Sequence, residues 1–169
     1  MELKDSGARR EFSTGAVRDI QDDKGRCDLL PLVEVGMVTE DDILSYIGHF
    51  METGMIGYIV EAIRRFSRDN YPNGYGDSLL NLAKHFADGA KKYTDRNWEK
   101  GIPCHCFVDS GVRHYIKFKS GWDDEPHDRA FLWNMYCLLW TLRNHPELND
   151  LPQYNMTASD TTDKMIVVQ

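Results

Sequence analysis

The sequence predicts an all-α protein, a bundle of four or five helices with a polar N-terminal arm. Three observations carry the helical expectation. Apolar residues recur at three- and four-residue spacing through most of the chain. Capping residues and prolines stand where those stretches begin. No alternating run is long enough for a convincing strand, and no internal repeat is present.

The first thirty residues are polar, lack periodicity and carry Gly15 and Gly25, which predicts a loop or a short helix. T-E-D-D then starts a helix with Thr39 as N-cap and Asp42 in the acidic position three residues on. Ile43, Ile47, Phe50, Met55, Ile59, Ile63 and Phe66 continue the pattern, with Gly54 and Gly57 splitting it into two short helices or bending one. Turn residues predict a loop over 68–77. Asp77 or Ser78 caps the next helix, through Leu79, Leu82, Phe86 and Ala90 to about Tyr93. Pro103 suits the first turn of a third, with Phe107, Val108, Val112, Tyr115 and Ile116 on its apolar side. Pro126 opens a fourth, running to about Arg143, whose dense apolar residues place it centrally. The chain then reads as one domain over 1–152, with a frayed, flexible tail over 153–169.

Composition narrows the function classes. The 169 residues are 41% hydrophobic and 28% charged, ordinary for one globular domain. A net charge of -7 argues against nucleic-acid binding. No apolar run approaches the ~20 residues that cross a bilayer, and MELKDSGARREF has no apolar stretch for a secretory signal. Cys27, Cys104, Cys106 and Cys137 include no C-x-x-C pair, so reduced thiols in a cytoplasmic protein are expected.

The most informative stretch for chemistry is D-D-E-P-H-D-R-A-F-L-W-N, residues 123–134. Glu125 and Asp128, three apart, can share a helix face and converge on a hard divalent cation, with Asn134 beside that face. Acids complementing the helix dipole explain the spacing equally. The third helix carries Asp109, Arg113, His114 and Lys117. These are either i, i+4 ion pairs with solvated bases or a carboxylate beside cations that neutralise a polyphosphate. The stretch 84–98 repeats the arrangement with Asp88 near Lys91 and Lys92, then Arg96 and Asn97. His127-Asp128 also spells the H-D dipeptide of HD-type phosphohydrolases, with His85, His105 or His114 upstream and Asp150 downstream.

REFSTGAVRD, DKGRCDLLP, KHFADGAKKYTDRNWEKGIP, VDSGVRHYIK and DEPHDRAFLWN follow one another in an order that resembles the phage-associated dATP/dGTP diphosphohydrolase N-terminal family, which includes MazZ-type enzymes. The resemblance runs from Arg10 to about Pro152, with 34–77 as a helical insertion. It implies a MazG-like nucleotide pyrophosphohydrolase that cleaves purine deoxynucleoside triphosphates to monophosphate and pyrophosphate. It further implies two or more Mg²⁺ or Mn²⁺ ions held by carboxylates, and a homo-oligomer, dimer or tetramer, in the host cytoplasm. The E-x-x-D half of the metal motif falls on Glu125 and Asp128. Where relatives are expected to read Glu-Glu, this chain has Ala87-Asp88. The remaining ligands are then Asp88 with Asp109, or Glu34 from the insertion. Among the carboxylates, Glu125, Asp128 and Asp109 are the expected catalytic ones. Lys91, Lys92, Arg96, Arg113 and Lys117 are expected to steady the phosphates, and Asn97, His114 and Asn134 to touch the nucleotide. Arg18, Lys24 and Arg26 are expected to close over it from the N-terminal arm. The alternatives are an HD-type phosphohydrolase or a non-catalytic nucleotide-binding phage protein.

Overall fold

The computed structural model describes residues 7–153. Two short strands come first, β1 (Arg9–Glu11) and β2 (Val17–Asp19). Six α-helices follow: α1 (Leu32–Thr39), α2 (Asp42–Thr53), α3 (Gly57–Asn70), α4 (Tyr75–Lys92), α5 (Cys104–Lys119) and α6 (His127–Asn144). Short 3-10 turns lie at Cys27–Leu29, Asn97–Lys100 and Pro146–Leu148. The architecture is all-α, with one helix more than the upper expectation. No helix among the described residues is long and apolar enough to cross a membrane.

The described residues divide into two compact units: 7–29 with 73–150, and 30–72 with 151–153. In the first, α5 and α6 form the most extensive helix pair and α4 packs on α6. Phe107, Val108, Val112, Phe131, Leu132, Met135 and Leu138 are buried there. Burying each such side chain stabilises the fold by about 1.5–3 kcal/mol. Gly111 sets the closeness of the pair. A Cβ there would stand 2.5 Å from Met135 Cε and 3.2 Å from Asn134 Cβ, so the missing side chain lets Asn134 sit at the seam. Pro103 and Pro126 occupy the N-cap positions of α5 and α6, one residue before the first turn.

The N-terminal arm corrects the expectation of a loop or short helix. β1 and β2 pair antiparallel, with Arg10 opposite Arg18, and the turn passes through Gly15 at φ +83°. Three-residue strands carry no readable alternation. Asn97 holds the hairpin from both sides: its Oδ1 accepts from Val17 N at 3.0 Å and its Nδ2 donates to Val17 O at 2.8 Å.

The second unit is α1, α2 and α3 around Ile47, Phe50, Ile59, Ala62 and Phe66. Thr39 ends α1, so it is not the cap expected of it; its hydroxyl donates back to Val35 O at 2.8 Å. Asp41 caps α2 instead, its carboxylate accepting from Ile43 N at 3.0 Å and Leu44 N at 3.1 Å. Gly54, at φ 69°, terminates α2 in the left-handed conformation, so the two-helix alternative is the one observed. The loop expected over 68–77 is shorter, because α3 reaches Asn70 and α4 starts at Tyr75 with Gly74 as its N-cap rather than Asp77 or Ser78.

Candidate active site

The hairpin roofs a pocket whose floor comes from α4, α5 and α6. Six of the lining side chains are Lys or Arg (Arg10, Arg18, Lys24, Lys92, Arg113 and Lys117), against two acids, Asp19 and Glu125. In a chain of net charge -7 this is a local inversion of sign, and a concave cationic surface concentrates anions.

Arg18 is the central group. Its Nη2 donates to Asn134 Oδ1 at 3.1 Å, and its guanidinium carbon lies 5.4 Å from the Phe107 ring and 5.5 Å from the Trp133 ring. Its Nη1 is buried with no hydrogen-bond partner and no carboxylate pairs with it. Burial lowers its pKa from the usual arginine value. Arg10, opposite it in the hairpin, donates to Gln21 Oε1 at 3.1 Å and to Cys106 Sγ at 3.0 Å; its Nε also lacks a partner. A buried cationic donor left unpaired costs free energy, which an anionic ligand would recover. Lys92 and Tyr93 both bond Asp19, at 2.6 and 2.7 Å, and so tie α4 to β2.

At the other side of the pocket stand the histidines. His114 Nδ1 lies 2.9 Å from His127 Nδ1 and 3.9 Å from Glu125 Oε2. His127 Nε2 lies 2.8 Å from Asp124 Oδ1. Burial, then the neighbouring His127, holds the His114 pKa well below the ordinary histidine value. His114, Glu125 and His127 each offer one ligand atom within 4.8 Å of the others, the only such group of three found among the described residues.

The acids expected to share a hard metal ion have the following partners. Asp109 is fully buried, and its Oδ1 takes Arg113 Nη2 at 2.5 Å and Cys27 N at 2.6 Å. The i, i+4 ion pair is therefore the observed arrangement. Asp88 bonds Arg129 at 3.1 Å and lies 3.8 Å from Lys91, and with Asp128 it acts electrostatically on His85. Glu34 is an exposed residue of α1 in the second unit. Among the described residues, no three of Asp88, Asp109, Glu125 and Asp128 bring ligand atoms within 4.8 Å of one another. Glu125 is the one of them that joins a ligand-sized cluster, and there its company is imidazole.

Residues 75–151 match the family described as dATP/dGTP diphosphohydrolase, N-terminal. This is the family to which the motifs pointed. No curated protein and no solved structure matches the chain. The family description denotes a hydrolase acting on nucleotide diphosphate bonds. The matched stretch contains α4, α5 and α6, and with them Lys92, Arg113, His114, Lys117, Glu125, His127 and Asn134. Arg10, Arg18 and Lys24 lie outside it, on the segment that closes the pocket.

Of the nucleotide-contacting residues expected from the family motifs, Arg18, Lys24, Lys92, Arg113, His114, Lys117, Asn97 and Asn134 line the pocket. Asn97 spends its amide on the hairpin backbone, so it positions the roof. Arg26 bonds Asp28 through both Nε and Nη2, at 2.7 and 2.5 Å. Lys91 is exposed, and Arg96 pairs with Glu99. None of these three lines the pocket, although Arg96 lines an adjoining cleft with Phe86, Trp98 and Trp133. Sequence reasoning missed Arg10, Asp19, Gln21, Tyr93 and Trp133 there. Arg10 opens and Asp19 closes REFSTGAVRD, and a hairpin reading of that segment would have found both. The remaining histidines separate: His105 pairs with Asp150, whose hydrogen bond raises its pKa to about 10, while burial drives His85 down to about 4.

Proposed function

We propose that this chain hydrolyses dATP and dGTP between the α and β phosphates, yielding the monophosphate and pyrophosphate, with the help of divalent metal. The observation that carries the reading is the Arg18 guanidinium, buried, without a carboxylate and with Nη1 unsatisfied, in a pocket where cations outnumber acids six to two. A triphosphate supplies the oxygens that Arg18, Arg10, Lys92 and Arg113 lack or share. Arginine gripping two oxygens also orients the chain of phosphates.

In the reaction a water oxygen bonds to the α phosphorus, the bond to the bridging oxygen breaks, and pyrophosphate leaves; the proton passes to solvent. Divalent metal, with Glu125 among the side chains that would hold it, would supply charge neutralisation and a more nucleophilic water. Arg18 and Arg10 hold the phosphates from the roof, Lys92, Arg113 and Lys117 from the floor, and Asn134 fixes Arg18. An aromatic cleft of Phe86, Tyr93, Trp98 and Trp133 adjoins the pocket, sharing Tyr93, Asn97 and Trp133 with it. We assign the purine ring to this cleft, where stacking on flat side chains favours the larger base. A homo-oligomer serving the nucleotide pool of phage DNA synthesis in the host cytoplasm completes the proposal.

The test is hydrolysis of each deoxynucleoside triphosphate in ¹⁸O-water with Mn²⁺ or Mg²⁺. Monophosphate carrying the label, with unlabelled pyrophosphate, is the expected result. Orthophosphate, or nucleoside with triphosphate, would move the assignment to HD-type chemistry at His127-Asp128. That second reading has one observation in its favour, the contact of His127 with an upstream histidine, His114. Arg18→Met should lower kcat/KM about 10- to 100-fold, the worth of a hydrogen bond to a charged group.

A further inference from the structure

We propose that His114, His127 and Glu125 bind one divalent ion of the borderline class, such as Mn²⁺, Co²⁺ or Zn²⁺, with Asp124 as the supporting carboxylate. The ion's part in hydrolysis rests on the function proposed above; the binding itself does not. The donors come from two elements, His114 from α5 and the other two from the start of α6.

The two separations that His114 makes suit ligands around a common ion. Two nitrogens bound at about 2.1 Å and near a right angle stand about 3 Å apart, and two ligands at that bond length are never more than about 4.2 Å apart. The His114 and His127 Nδ1 atoms are 2.9 Å apart, and His114 Nδ1 to Glu125 Oε2 is 3.9 Å. A plain hydrogen bond between imidazoles accounts for the first distance and gives Glu125 no role, since 3.9 Å is too long for one.

Asp124 decides the tautomer. Its Oδ1, 2.8 Å from His127 Nε2, accepts the proton there and leaves the Nδ1 lone pair facing His114. A carboxylate behind a ligating histidine is the usual outer support of a metal site, and Lys117 Nζ steadies Asp124 in turn at 3.4 Å. The Glu125–His127 turn is closed by His127 N donating to Glu125 O at 2.8 Å, which keeps the two side chains together. Two imidazoles and one carboxylate select a borderline ion over Mg²⁺, which demands oxygen ligands. His114, Lys117 and Glu125 also line the cationic pocket, so the ion would stand at its wall.

The test is titration of chelator-stripped protein with Co²⁺, followed by visible absorption and metal analysis, then competition with Zn²⁺, Mn²⁺ and Mg²⁺. One Co²⁺ per chain is expected, displaced by Zn²⁺ and not by equimolar Mg²⁺. His114→Gln and His127→Gln should abolish the spectrum, Asp124→Asn should weaken binding about 10- to 100-fold, and His105→Gln should leave it intact. Circular dichroism accompanies each variant. Should the buried His127→Gln fail to fold, His114→Gln, at a partly exposed position, decides. Absence of Co²⁺ binding, or equal binding by wild type and folded His114→Gln, would overturn the site, while labelled monophosphate formed with Mg²⁺ would leave the proposed function standing. Co²⁺ bound without any turnover would do the reverse.

Discussion

The two units treat charge in opposite ways. In α1–α3 the ion pairs lie on the surface: Arg64 with Glu61, Arg65 with Asp69 and Asp42, Arg68 with Asp69. The one polar side chain buried there among the described residues is Ser67. In the other unit Asp28, Ser78, His85, Asn97, Asp109, His127, Arg129, Asn134 and Thr141 are all buried. Burying polar groups opposes folding unless each finds a partner. Their concentration in one unit therefore marks where ligand chemistry outweighs stability, and several of them line or brace the pocket.

The sharpest way to break that contrast is Asp109→Ala. Asp109 holds Arg113 and the Cys27 amide from a fully buried position, while Arg113 also donates to the carbonyls of Lys24 and Gly25. Removing one partner of a buried pair costs about 3–5 kcal/mol. Chemical denaturation of Asp109→Ala should show a loss of that size. If Asp109 were chiefly a metal ligand, the loss would instead be confined to metal-loaded protein.

How far the chain could be read from sequence differs between these elements. The apolar density of α6 and the charges of α5 are periodic signals, and both helices were legible. The hairpin was not, because its strands are three residues each and it is anchored by Asn97, eighty residues from Val17. The pocket residues on α4 and α5 were legible as bases one turn from acids, but Arg10 was hidden with the hairpin. Glu125 and Asp128 are three apart in sequence, yet Glu125 precedes α6, which begins at His127, and its side chain meets His114. An i, i+4 spacing could not tell whether Asp109 served Arg113 or a metal. The structure puts its Oδ1 on Arg113 and the Cys27 amide, and the second of these is a tertiary contact that spacing does not encode.

A smaller effect sharpens the comparison through pH. His85 packs against Trp133, with Nδ1 buried and unpartnered. Burial lowers its pKa to about 4; Arg129 and Arg18 push the same way, and Asp88 and Asp128 oppose them. The folded value lies below the unfolded one near 6.5, so the folded state binds fewer protons. The associated stability is complete above about pH 6.5 and is lost as pH falls toward 4, by about 3 kcal/mol across that window. His85→Phe keeps a ring against Trp133 and removes the proton site. Its acid-denaturation curve between pH 6.5 and 4 should be shallower than that of wild type; an unchanged curve would mean His85 titrates normally.

The smallest effect belongs to the unit that keeps its charges outside. Arg64 Nη1 and Glu61 Oε1 are 2.7 Å apart at i, i+3 on α3, with side chains 60% and 50% exposed. At that exposure water screens the attraction, and holding two long side chains together costs entropy. A double-mutant cycle with Arg64→Ala and Glu61→Ala should return a coupling of about 0.2–0.5 kcal/mol, erased by salt near 1 M, where the screening length is about 3 Å. Nucleotide turnover per folded molecule should not change. A coupling several times larger, or a loss of turnover, would show that the surface charges of α3 serve the reaction, and the contrast between the units would fail from the side where it is now strongest. The comparison rests on this pair as much as on Asp109, since a functional site is recognised by charges that are costly to bury only if charges elsewhere are cheap to remove.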